Sequence, residues 1–278
     1  MECELSGITV HYEALGEGRP IVILHGWGCD HRHVLADMEP LFGRRDGWQR
    51  IYPDLPGHGM TPGRDWIASQ DDMLGVVLDF IDRVVPGQRL VIGGTSAGAY
   101  LARGVVHRRS ASIDGLLQVV PLVVHGARRR VPPQATLVAD PALAAQLGTD
   151  DADYFEMAVV QSRKVADYVR ANLTPASQMV NEDFLAKIRD VPENYAFSFD
   201  VDALPKPFLG PTLIFTGRQD AVVGYSDAWE ILENYPRATF AVLDRSGHFL
   251  PSEQEDLFHA LVSEWLDRVE EYSAMRAG

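Results

Sequence analysis

The sequence predicts an α/β protein with a mostly parallel, doubly wound sheet. Three observations carry that prediction. Short apolar, β-branched runs alternate with segments of helical periodicity, several of the runs end in glycine-rich loops, and Val91-Ile92-Gly93-Gly94 leads through Thr95 and Ser96 straight into a helix-forming segment. The 278 residues allow one or two domains with a substantial core.

In chain order, Ser6-Gly7 is a turn and Ile8-Thr9-Val10-His11-Tyr12 alternates apolar with polar residues, so the chain opens with a β-hairpin. Gly16-Glu17-Gly18 ends it. Pro20–Leu24 is a continuous apolar run, the pattern of a strand covered on both faces, and it runs into His25-Gly26-Trp27-Gly28. Arg50–Pro53 is a short strand entering Asp54-Leu55-Pro56-Gly57-His58-Gly59. Ser69 and Asp72 make a capping-box-like start to a helix reaching Val85, with Leu74, Leu78 and Ile81 on its apolar stripe and Pro86-Gly87 as its stop. Arg89–Ile92 is the strand before Ser96, Ala97–His107 the helix after it, and Gly115–Val120 the next strand.

From Leu122 to Phe208 the alternation lapses into helical segments, Asp151–Leu173 and Asn181–Asp190, separated by prolines. Residues 122–208 therefore form a helical cap inserted into a core made of residues 1–121 and 209–278. Phe155, Met157 and Tyr195 are its large apolar side chains, assigned to its own packing before any contact with substrate. Strands resume at Thr212–Phe215 and Thr239–Leu243, with a helix at Ser226–Asn234 between them. A last helix starts near Glu253 and places Leu257, Leu261 and Trp265 on one face, with Phe258, Val262, Leu266 and Val269 beside them.

The formal net charge is −14, from 39 acidic and 25 basic residues, which opposes association with nucleic acid or an anionic membrane surface. His107-Arg108-Arg109 and Arg128-Arg129-Arg130 are too short to change that and read as solvated surface. Cys3 and Cys29 lie in no metal-binding or disulfide spacing. The N-terminus lacks the basic start and apolar core of a secretory signal, and no run has the length of a membrane span, so a cytoplasmic location is expected.

Gly94-Thr95-Ser96-Ala97-Gly98 has the G-x-S-x-G spacing of a nucleophile elbow, a sharp strand-to-helix turn that exposes the serine hydroxyl. Flanking glycines let strand and helix approach closely. Alone the pattern arises by chance in roughly one chain in ten of this size. Its weight comes from Asp220 and His248, which follow later strands in the order nucleophile, acid, histidine.

Together with His25-Gly26-Trp27-Gly28, Asp54-Leu55-Pro56-Gly57-His58-Gly59, Gly217-Arg218-Gln219-Asp220 and Gly247-His248, this order makes the chain resemble the α/β-hydrolase superfamily over nearly its whole length. The resemblance implies an eight-stranded α/β-hydrolase fold, Ser96 as nucleophile, His248 as general base and Asp220 as the acid that orients it. It also implies an oxyanion hole from the backbone N–H groups of Trp27 and Ala97. Gly26, Trp27, Val222 and Phe249 are the expected substrate contacts, Val222 and Phe249 because they flank the acid and the histidine in sequence. No metal and no cofactor is implied.

Other residues have structural readings. His11, His107 and His259 lie on predicted elements, His25 belongs to hydrogen bonding within the oxyanion loop, and His58 packs in its glycine-rich loop. Asp54 and Asp244 also end strands, but Asp220 matches the superfamily motif. The expected reaction is hydrolysis of a carboxylic ester or lactone, a small-molecule substrate, through an acyl-enzyme. A weaker resemblance, including Gly217–Tyr225, is to bacterial serine macrolide esterases. Carbon–carbon bond hydrolysis or cofactor-free perhydrolysis on the same triad, and a receptor-like protein that retains it, are the alternatives. Oligomeric state is not legible.

Overall fold

A computed structural model describes residues 1–277. Its eight strands are β1 (Glu2–Leu5), β2 (Ile8–Leu15), β3 (Arg19–Leu24), β4 (Trp48–Pro53), β5 (Leu90–Thr95), β6 (Ile113–Val119), β7 (Thr212–Gly217) and β8 (Ala238–Leu243). They form one sheet in the order β1-β2-β4-β3-β5-β6-β7-β8. β2 is antiparallel to both β1 and β4, and every pairing from β4 through β8 is parallel. The opening hairpin turns at Ser6-Gly7, where Gly7 has φ 83°, a conformation that costs glycine little.

The central parallel strands are mostly apolar because water reaches neither face. Every residue of β5, β6 and β7 is buried. Helix Ala97–Arg109 and the last helix, Glu255–Ala277, both pack on β6, while helix Gln70–Val84 lies against Ala97–Arg109. Leu24 pairs with Gly94, Thr95 with Val119, and Val119 with Phe215, so the carboxyl ends of β3, β5, β6 and β7 stand side by side. That edge is where a doubly wound sheet gathers its ligand-binding loops.

Four readings change. Helix His31–Phe42 was not expected, and its buried stripe explains why: Val34, Met38 and Phe42 are joined there by His33 and Asp37, two polar residues that hide the apolar period. The single helix expected over Asp151–Leu173 is broken. It runs over Thr149–Glu156, yields to a bridge between Val138 and Val160, and restarts at Arg163, where the Ser162 hydroxyl accepts the Val165 N–H. The helix expected at Ser226–Asn234 is a short α-helix, Ser226–Glu230, followed by a 3-10 turn. Leu257 is 48% exposed rather than buried, because the last helix begins afresh at Glu255 after the short helix Leu250–Glu253 and turns Phe258, Val262, Trp265, Leu266 and Val269 inward.

Between β6 and β7 the helices form a second, smaller apolar cluster around Phe155, Val165, Val169 and Leu173, with Phe249 from the core joining it. Among the described residues no helix is long and apolar enough to cross a membrane.

Trp265 is fully buried and its indole N–H donates to the Pro211 carbonyl at 3.0 Å. Trp265→Ala should lower unfolding free energy by about 3–5 kcal/mol in urea titrations, whereas Leu257→Ala should change it by less than about 0.5 kcal/mol. Equal effects would mean that the helix presents a different face.

Candidate active site

Ser96 sits at φ 55° and ψ −116° immediately before helix Ala97–Arg109. A non-glycine residue held there stores on the order of 1–3 kcal/mol and persists only where its surroundings over-determine it. Here its N–H donates to the Val119 carbonyl at 2.9 Å, and its own carbonyl accepts from Ala99, Tyr100 and Leu122 at 3.1–3.2 Å. Close approach does the rest: a Cβ on Gly94 would lie 2.3 Å from Gly98 carbon, and one on Gly98 would lie 2.3 Å from the Leu24 carbonyl oxygen. The Ala97 N–H is left at the helix start, where the first amides have no partner within the helix.

A second strained residue lies directly below. Val120, at the end of β6, has φ 39° and donates to the Phe215 carbonyl at 2.7 Å. Its β-branched side chain gives no sequence signal of a left-handed turn.

Asp220 is fully buried. One oxygen accepts the N–H groups of Val222 (2.8 Å) and Val223 (3.0 Å), and the other meets His248 Nδ1 at 2.9 Å. With Nδ1 held by a carboxylate, Nε2 is the nitrogen left for chemistry. The loops carrying the pair are stapled together, Arg218 N–H to Leu243 at 2.8 Å and Gln219 N–H to Ser246 at 3.0 Å. Gly217 permits this, since a Cβ there would meet the Gly247 carbonyl oxygen at 2.4 Å.

The structure brings Ser96 and His248 to one cavity of about 330 Å³. Gly26, Trp27, Val222 and Phe249 line it. In the segment between β6 and β7, Met157 and Tyr195 reach the cavity together with Tyr154 and Leu173, while Phe155 stays in its own cluster. Arg129 also lines it, so the Arg128-Arg129-Arg130 run is not simply solvated surface; Arg130 pairs with Asp227 at 2.5 Å and with Glu230 at 3.1 Å.

Two buried histidines brace the loop that carries Trp27. His25 Nε2 accepts the Leu55 N–H at 2.9 Å, which assigns its proton to Nδ1 and a donated bond to the Gly26 carbonyl at 2.8 Å. His58 Nε2 accepts the Gly28 N–H at 3.2 Å, and its Nδ1 donates to the Pro56 carbonyl at 3.0 Å. Burial lowers both pKa values, that of His58 to about 3, so both rings are neutral at physiological pH. Asp54 is turned toward His11 and His31, not toward His248. It accepts from His31 and His11 rings and from the His31 and Met60 amides, and although burial opposes ionisation, these bonds hold it well below the usual carboxylate range.

Four further groups gave no sequence signal. Glu253, buried, accepts the Gly247 N–H at 2.6 Å with one oxygen and the Val159 N–H at 2.6 Å with the other, tying the β6–β7 segment to the His248 loop. Cys29 and His33 line the inner cavity, and burial raises the thiol to about 12 and lowers the imidazole to about 3. Behind His33, burial raises Asp37 to about 7 while the Tyr168 hydroxyl donates to it at 2.8 Å.

A family model described as "Alpha/beta hydrolase family" matches residues 21–261. A pimeloyl-[acyl-carrier protein] methyl ester esterase from Legionella pneumophila (strain Paris) is 21% identical, the alignment covering 93% of this chain and 100% of the relative. A 2-hydroxy-6-oxononadienedioate/2-hydroxy-6-oxononatrienedioate hydrolase from Burkholderia vietnamiensis is 24% identical over 94% of this chain and 92% of its own length. Among solved structures, an alpha/beta superfamily hydrolase from Oenococcus oeni PSU-1 superposes with a TM-score of 0.88 at 24% identity, covering 97% of this chain and 99% of that one, a likeness of fold.

Asp37 generates a pH prediction. Its folded-state pKa, about 7, lies above the ordinary 3.8, so between those values the unfolded chain releases a proton that the folded chain keeps, and stability falls as pH rises. Urea titrations at pH 4.5 and pH 8 should therefore show the native protein losing up to a few kcal/mol relative to Asp37→Asn. Parallel curves for the two proteins would contradict a raised Asp37.

Proposed function

Because the chain belongs to the alpha/beta hydrolase family, we propose that it cleaves a carboxylic ester through an acyl-enzyme, with Ser96 as nucleophile, His248 as general base and Asp220 as its orienting carboxylate. The observation that carries this reading is the 2.9 Å Asp220–His248 pair opening on the cavity that also holds the strained Ser96. A serine hydroxyl attacks an acyl carbon well only if its proton leaves as the bond forms. His248 Nε2 takes that proton, and Asp220 stabilises the imidazolium and fixes the tautomer. The negative charge on the former carbonyl oxygen is met by the backbone N–H groups of Trp27 and Ala97, each such donor being worth about 2.7–4 kcal/mol in the transition state. His248 then protonates the leaving alcohol, and water repeats the sequence on the acyl-enzyme.

We read residues 122–208 as the cap over this site, with Arg129, Tyr154, Met157, Leu173 and Tyr195 among its contributions to the cavity wall. An ester suits the arrangement because an alcohol leaves with one proton from one histidine, whereas a carbon leaving group also requires an electron sink in the substrate. The printed names of the relatives include both ester and carbon–carbon chemistry. The test is a mass-spectrometric panel of short acyl esters, macrolide lactones and vinylogous diketones.

Ester or lactone products are expected, with kcat lowered by roughly 10⁴-fold or more in Ser96→Ala and about 10⁴-fold in Asp220→Asn. Turnover that survives Ser96→Ala, products of carbon–carbon cleavage alone, or stoichiometric capture without turnover would each overturn the proposal.

A further inference from the structure

The cavity that holds Ser96 and His248 is lined by two guanidinium groups, Arg129 and Arg189, and among the described residues no carboxylate lines it. Their situations differ. Arg189 is already neutralised, by Glu182 at 2.6 Å and Asp190 at 2.8 Å. Arg129 donates through Nη1 to the Val222 carbonyl at 2.7 Å, and among the described residues no carboxylate lies within ion-pair distance of it. This is not for want of acids in a chain with 39 of them, since the adjacent Arg130 holds both Asp227 and Glu230.

A guanidinium carries five N–H donors in a fixed fork, and the carbonyl of Val222 uses one edge only. The charge acts on its neighbours. It opposes the burial that raises the Tyr195 hydroxyl to about 12, and it helps lower His125 to about 4, burial being the larger cause. Much of the remaining wall is apolar, including Trp27, Leu122, Phe249 and Val223, and its other polar groups, such as Ser96, His248 and Tyr195, carry no fixed positive charge to rival the guanidinium. A substrate that fills this space best is an apolar chain ending in an oxyanion, because the fork matches a carboxylate in two parallel bonds.

We propose that Arg129 is a specificity-determining residue that binds a carboxylate carried by the ester substrate away from the scissile carbonyl. The proposal rests on the ester-hydrolase reading above. The carboxylate can sit on the acyl or the alcohol side, and matched substrates separate these. Mono-p-nitrophenyl esters of linear dicarboxylic acids place it on the acyl side, and acyl esters of hydroxy acids place it on the alcohol side. Each is compared with the neutral ester of equal length, with Ser96→Ala as the background.

Wild type should prefer the charged member of one series by about ten- to a hundredfold in kcat/KM, mainly through KM, and high salt should reduce the preference. The ratio should approach one in Arg129→Gln and be partly kept in Arg129→Lys. A wild-type ratio near one, a preference that survives Arg129→Gln, or an equal loss on both esters from mere disturbance of the Val222 loop would overturn it. If wild type cleaves neither ester, the ester reading fails separately. Calorimetry of a linear dicarboxylate with Ser96→Ala then decides the anion site, binding lost on adding Arg129→Gln supporting it and binding unaffected refuting it.

Discussion

Backbone crowding at the end of β5 is the constraint on which the site depends. Gly94 and Gly98 touch, Gly98 touches the carbonyls that end β3, and Ser96 is left with no relaxed conformation. Its φ of 55° is stabilised by hydrogen bonds from both sides, to β6 and to the helix that follows. A side chain at either glycine would push the helix off the sheet, and the serine would relax away from the cavity. The same crossing brings the His25–Gly28 loop beside Ser96, close enough that a Cβ on Gly26 would lie 3.5 Å from the serine Cβ.

Around that crossing, each loop is held by a group that takes no part in acyl transfer. His25 and His58 pin the Trp27 loop as neutral rings, Asp54 collects four donors beneath it, and Gly217 lets the loops of Asp220 and His248 lie against each other. Glu253 extends the bracing outward, since its buried carboxylate joins Gly247 to Val159. The position of His248 is thereby linked mechanically to the segment between β6 and β7. The two neutral rings fix the loop that carries Trp27 without adding charge beside the cavity.

What was legible in the sequence was whatever local chemistry dictates. Continuous β-branched runs specify strands buried on both faces, and glycines flanking a serine specify a turn that other residues cannot make. Ser96, Asp220 and His248 could be placed in order because each follows its own strand, and Trp27, Val222 and Phe249 reach the cavity as their nearness to those loops suggested. Helix His31–Phe42 was hidden because its buried face includes His33 and Asp37, whose burial depends on Tyr168 far along the chain. The break near Val159 depends on a carboxylate at Glu253. Arg129 sits in an arginine run that reads as surface, and only the fold turns one of the three toward the cavity. In each case the missing information is a contact distant in sequence.

The central claim, that this backbone geometry makes Ser96 a nucleophile activated by His248, is tested most directly by intact-protein mass spectrometry with peptide mapping after exposure to a fluorophosphonate. One adduct per chain on Ser96, absent from Ser96→Ala and strongly slowed in His248→Ala, is the predicted result. An unlabelled native protein, or an adduct on another residue, would contradict it.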